Sequence, residues 1–144
     1  RDIANTALNR LNADPTIYKQ THIVVASYNG IVLLAGQAPT EELKQQVYSI
    51  VQNVPGIRRI YNEITVQPPL SNTAIASDSW LTTKVKSAMI AEKNLKSATI
   101  KVVTENNTVY LMGIVTQSQG NLAADVARRV GGVQKVVKIF EYVQ

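Results

Sequence analysis

Asn29-Gly30-Ile31-Val32-Leu33-Leu34-Ala35-Gly36 has a second version further along the chain, Asn106-Asn107-Thr108-Val109-Tyr110-Leu111-Met112-Gly113. Each reads as the return half of a β-hairpin. A two-residue turn of Asn and Gly type opens it, and a glycine closes an apolar run too short for a helix. His22 to Tyr28 and Thr99 to Glu105 alternate in front of the two turns and supply the first hairpin strands. The offset that sets Gly36 on Gly113 also sets Ile23 on Ile100, Val25 on Val102, Val32 on Val109 and Leu34 on Leu111. Carried upstream, it places Ile3 on Trp80 and Leu8 on Val85. After the glycines the offset shortens by one residue and lays Val54-Pro55-Gly56-Ile57 on Val130-Gly131-Gly132-Val133. Apolar positions matched at a nearly constant offset point to internal duplication.

Each copy reads helix, strand, strand, helix, strand. In the first, Ile3 to Leu11 gathers Ile3, Ala4, Ala7, Leu8 and Leu11 on one side of a helix. Thr40 caps a second helix, whose stripe is Leu43, Val47, Ile50, Val51 and Val54. Pro55-Gly56 ends it, and Ile57 to Val66 is the last strand. The second copy has a helix from about Asp78 to Glu92, a capping box at Thr116 and Gln119, and a final strand from Gln134 to Val143. The expected class is α+β: two tandem αββαβ domains, each a three-stranded mixed sheet with two helices on one face. The expected boundaries are 1–67, a Pro-containing linker at 68–77, and 78–144. Gly36 and Gly113 are expected to be structural, at points of close backbone approach or positive φ.

The chain has 144 residues, 45% hydrophobic and 17% charged, enough apolar content to fold. Its longest purely apolar run, Ile31 to Ala35, is far below the roughly 20 residues of a membrane-spanning helix. The absence of Cys excludes disulfides, thiolate catalysis and Cys-ligated zinc. Through residue 77 there are six basic and five acidic side chains; from Asp78 onward there are nine and five. The positive excess therefore resides in the second copy and points there for an anionic partner.

Catalysis finds little support. His22 is the only histidine and opens a strand, and Glu41 and Glu42 are neighbours in one helical turn that do not converge as an acid/base pair. No phosphate-cradling glycine motif or metal-ligand cluster is present, so no enzyme activity, cofactor or metal is expected. A pI near 9.6 would suit a nucleic-acid binder. However, no G-x-x-G loop or RNP-type aromatic motif occurs. Tyr28, Tyr48 and Tyr61 lie in the first copy, away from the excess charge, and no nucleic-acid partner is expected.

The helix beginning near Asp78 is the asymmetric element. At 100° per residue, Leu81, Val85 and Ala88 fall within about 60° of one another and face the core. Trp80 is roughly 100° from the centre of that stripe, and Ile90 is almost opposite it, with Lys84 and Lys86 alongside. Displaced apolar residues beside lysines suit an interfacial membrane contact, the alternative for Trp80 being packing into the interface between the two copies.

The two hairpins closed by Gly36 and Gly113, together with Val54-Pro55-Gly56-Ile57 and Val130-Gly131-Gly132-Val133, resemble the BON domain of periplasmic and outer-membrane-associated bacterial proteins. Val32 to Gln37, Ile60 to Ile64, Asp78 to Lys86 and Tyr110 to Thr116 are similar to dual-BON outer-membrane lipoproteins of Gram-negative bacteria. That resemblance implies a lipid-anchored protein at the periplasmic face of the outer membrane. It implies binding of anionic phospholipid through the first helix of the second domain, enrichment at the division site and support of envelope integrity. The expected lipid-binding residues are Trp80, Leu81, Lys84, Val85, Lys86, Met89 and Ile90. The acylated Cys of such a lipoprotein is absent from this chain, which begins at Arg1 and is read as a trimmed form. Asn107 stands where the hairpin turn ordinarily carries glycine, a mild departure. A protein-interaction module serving outer-membrane assembly proteins remains the alternative.

Overall fold

Asp2 accepts the amide of Asn5 through its carboxylate, and helix α1 (Ile3–Asn12) starts from that cap. The structure, a computed structural model, describes residues 2–144; Arg1, where the first domain is expected to begin, lies outside them. Asp14 repeats the device. Its carboxylate accepts the amides of Thr16 and Ile17 at 3.0 and 3.1 Å, and Pro15 occupies the first position of helix α2 (Pro15–Gln20). This short helix adds to the two expected in the first copy, and it buries Ile17.

Strand β1 (His22–Tyr28) turns at Asn29-Gly30 into β2 (Ile31–Ala38), antiparallel from Tyr28↔Ile31 to His22↔Gln37. Thr40 then caps α3 (Glu41–Val51) through the amide of Leu43, as the sequence leads one to expect. The last strand of this unit departs from expectation because it comes in two pieces, β3 (Arg59–Asn62) and β4 (Thr65–Val66). Both run parallel to β2 on the same side and in one register, with Leu34↔Asn62 and then Gln37↔Thr65. Between them, the Asn62 side chain accepts the amide of Ile64, and the Ile64 side chain is buried. A local side-chain-to-backbone turn thus interrupts the ladder without shifting it. Ile3, Ala7, Leu11 and Ile17 pack with Val32, Leu34, Val47, Val51 and Ile64 to form the core.

The chain divides between Leu70 and Ser71. Ser71 accepts the amide of Ala74, and helix α4 (Asn72–Ala91) begins immediately after it. The helix therefore takes up positions 72–77 of the expected linker. Two prolines at 68 and 69 stop strand pairing, but nothing after Ser71 opposes a helix once its first amides are capped. A 3₁₀ turn (Ser97–Thr99) leads into β5 (Ile100–Glu105), which pairs antiparallel with β6 (Thr108–Thr116). Helix α5 (Gln117–Arg128) follows. Strand β7 (Lys135–Val143) runs parallel to β6 without a break, from Thr108↔Lys135 to Thr116↔Val143. Thr116 caps α5 through the Gln119 amide, but the expected capping box is only half made. The Gln119 side chain turns to the Asn94 carbonyl and the Lys96 amide instead. Val85, Met89, Leu95, Val102, Val109, Leu111, Ala123 and Ala127 belong to this unit's core.

Gly36 and Gly113 do the expected structural work. They have φ of +107° and +148°, and an added Cβ would strike the carbonyl oxygens of His22 and Thr99 respectively. The hairpin cannot close around a side chain at either place.

Candidate functional site

Helix α4 carries two faces. Asp78, Leu81, Val85 and Met89 lie within an arc of about 80° and are all buried. This stripe is rotated from the expected one because Met89, rather than Ala88, completes it. Measured from its centre, Trp80 and Ile90 each lie about 140° away, on opposite flanks of the outward face. Trp80 is 64% and Ile90 74% exposed, and they are separated by about 15 Å along the axis. Thr83 and Ser87, both exposed, lie between them. Of the seven residues expected to bind lipid, Leu81, Val85 and Met89 are thus held in the core by their helical phase. Trp80, Lys86 and Ile90 are at the surface.

The two lysines differ. Lys84 is half-buried, and its Nζ donates to the Gly131 carbonyl at 2.9 Å, just beyond the C-terminus of α5. A cation there lies just past the last turn of α5, near the negative end of the helix dipole. Lys86 is exposed, forms no ion pair or hydrogen bond among the described residues, and stands beside Ile90. Next to Lys86 and Ile90 is a groove of about 280 Å³, walled by Met89, Ala98, Ile100 and Val102.

Asp78 holds the opposite end of this arrangement in place. Its carboxylate accepts the amides of Asn106 and Asn107 at 2.7 and 2.9 Å, so the helix grips the β5–β6 turn. Both asparagines have positive φ, 52° and 64°. Thr82 adds a hydrogen bond of 2.7 Å to Thr104. Sequence reading missed this clamp because it joins residues 28 and 29 positions apart, with no local signature.

Elsewhere, no group of three His, Asp or Glu side chains among the described residues is placed to hold a metal ion. No helix of the described residues is long and apolar enough to cross a membrane.

The profile of the BON domain matches residues 1–68 and again residues 77–144. The chain belongs to the BON-domain family. It is 44% identical, over 93% of its length and 69% of the other's, to a protein named outer membrane lipoprotein DolP of Haemophilus influenzae. It is 40% identical, with the same coverage, to a protein of Actinobacillus pleuropneumoniae named 21 kDa hemolysin. Among solved structures, the C-terminal domain of CdsD, the structural protein of the type III secretion system of Chlamydia trachomatis, aligns at 9% identity and a TM-score of 0.41. That alignment covers 99% of this chain and 98% of the other.

Within the two BON domains, the first helices correspond one residue away from the expected superposition. In the first BON domain Ile3, Ala7 and Leu11 are buried; in the second, Leu81, Val85 and Met89 are. Gly56 faces Ile3, and Gly132 faces Leu81 in the same way. Ile3 therefore answers to Leu81, not to Trp80. The counterparts of Trp80, Lys86 and Ile90 become Asp2, Leu8 and Asn12. An exposed Trp, Lys and Ile thus distinguish the second BON domain, where the first carries Asp, Leu and Asn.

Proposed function

We propose that this chain is the non-enzymatic, phospholipid-binding part of an outer-membrane lipoprotein, acting at the periplasmic face in support of envelope integrity and at the division site. In this reading it engages anionic lipid through helix α4 of the second BON domain. The observation that carries it is the outward face of α4, where Trp80 and Ile90 are largely exposed and Lys86, beside Ile90, has no ion-pair partner among the described residues. Interfacial Trp, a displaced aliphatic and a lysine are what a helix needs to lie in a headgroup layer. The relative named outer membrane lipoprotein DolP supports the membrane placement.

Magnitudes fit a helper contact and not a sole anchor. Burying Trp80 or Ile90 contributes about 2 kcal/mol each. A lysine at an anionic surface adds about 1 kcal/mol, and association costs offset much of the sum. Such a face binds weakly and loses affinity in salt, so stable attachment calls for a second signal such as covalent acylation.

The test is co-sedimentation of the chain with phosphatidylglycerol vesicles, phosphatidylcholine vesicles and single-stranded DNA. Binding is expected to the first alone. Trp80→Glu and Ile90→Glu should each weaken it roughly 30-fold, as expected for the loss of about 2 kcal/mol. A folded Trp80→Glu variant that sediments with phosphatidylglycerol as well as the parent would refute the assignment.

A further inference from the structure

We infer that the groove between α4, the 3₁₀ turn and β5 seats one acyl chain of an anionic amphiphile, with Lys86 at its rim meeting the head group. This deepens the membrane reading of α4 and rests on it for the class of ligand.

The lining argues for hydrocarbon. Met89 and Val102 are buried and form the floor, Ile100 is half-buried, and Ala98 and Ile90 are the exposed lips. Only Lys86 and Ser97 bring polar side chains to the groove. A methylene chain needs no hydrogen-bond partner along such apolar walls, whereas a peptide backbone does. The space also suffices. Its volume of about 280 Å³ exceeds the roughly 150 Å³ of an apolar cavity that admits benzene, leaving room for a short length of chain.

The charge completes the match. Lys86 pairs with no carboxylate among the described residues, and it belongs to the half of the chain with nine basic and five acidic side chains. One cation at the mouth of an apolar slot selects an anionic head on a hydrophobic tail. Ile90 belongs both to the lip of the groove and to the outward face that carries Trp80, so surface contact and tail seat are continuous.

The experiment uses the full chain, methyl-labelled for NMR, with dihexanoyl phosphatidylglycerol kept below its micelle concentration. Expected are shifts at Met89, Ile90, Ile100 and Val102, and intermolecular NOEs from acyl protons to those methyls. Ala98→Trp, at an exposed position, fills the groove and should weaken monomer binding at least tenfold while changing vesicle co-sedimentation less than threefold. Trp80→Glu should do the converse. Dihexanoyl phosphatidylcholine, or the Lys86→Gln variant, should bind several-fold more weakly. Vesicle binding without acyl NOEs in the unsubstituted protein overturns the groove assignment and leaves the helix-face reading standing. Acyl NOEs that persist when Trp80→Glu leaves vesicle binding intact overturn the face reading and keep the groove. Shifts that follow protein concentration in the absence of lipid assign the groove to a second copy and overturn the proposal.

Discussion

Replacing Asp78 tests the central mechanical claim about the second domain, that α4 is locked to the β5–β6 turn by one buried carboxylate. The carboxylate accepts two amides at 2.7 and 2.9 Å. Hydrogen bonds to a charged group contribute about 1.5–3 kcal/mol each, and an amide left without an acceptor in a partly buried place costs a similar amount. Water reaches the turn from the exposed side of Asn106 and restores part of that loss. The expected destabilisation is therefore about 3 kcal/mol for Asp78→Ala. Asp78→Asn should cost about 2 kcal/mol, since it keeps one acceptor but turns an NH₂ group toward the other amide. For a domain of this size, each kcal/mol lowers the midpoint by about 4–8 °C. Two domains need not unfold as one transition, so the assay is thermal unfolding followed through NMR signals resolved for each domain, with the first as internal reference. Amide exchange at Asn106 and Asn107 gives the local readout. A shift below about 1 kcal/mol in the second domain, with both amides as protected as in the parent, would refute the clamp.

Gly36→Ala should destabilise the first domain by roughly 3 kcal/mol or prevent its folding, because its Cβ meets the His22 carbonyl at a positive φ. Gly131→Ala, whose Cβ meets nothing within 4 Å, should stay within about 0.5 kcal/mol by urea denaturation. Met89→Ala should lower stability by about 2–4 kcal/mol as a core truncation, yet leave vesicle affinity unchanged wherever the variant is folded. Lys84→Gln and Lys86→Gln should separate. The first loses the bond to Gly131 and about 0.5–1 kcal/mol of thermal stability, while the second weakens binding to anionic vesicles at unchanged midpoint.

The duplication, the hairpins with their closing glycines and the helix caps at Thr40 and Thr116 were legible because they are local patterns of period, turn residue and cap. Helix α2 was legible in principle. Asp14-Pro15 is a cap followed by a proline at the first helical position, but the segment is too short to show a stripe. The start of α4 was obscured by its composition, since Asn72 to Ser77 carries a single large apolar residue, Ile75, and so no apolar period, and only the cap at Ser71 marks it. Within α4, choosing between Ala88 and Met89 for the core requires a rotation of the helix, and helical phase is set by what it packs against. The expected match of Ile3 with Trp80 failed for the same reason. The Lys84 and Asp78 bonds reach across the fold and have no trace in neighbouring residues.

The break between β3 and β4 gives the two domains different tolerance to change in chain length. Along β7, paired to β6 without interruption, one inserted residue would turn every side chain beyond it to the wrong face. In the first domain, Glu63 and Ile64 already form a local turn between two paired segments, and only the two residues of β4 and its exit bond from Gln67 lie beyond it. An inserted residue there is absorbed by a loop and disturbs at most two pairs, whereas one at the start of β7 would disturb all nine. Among duplicated domains that diverge by insertion and deletion, the first copy therefore carries a place where length can drift, and the second must keep its count.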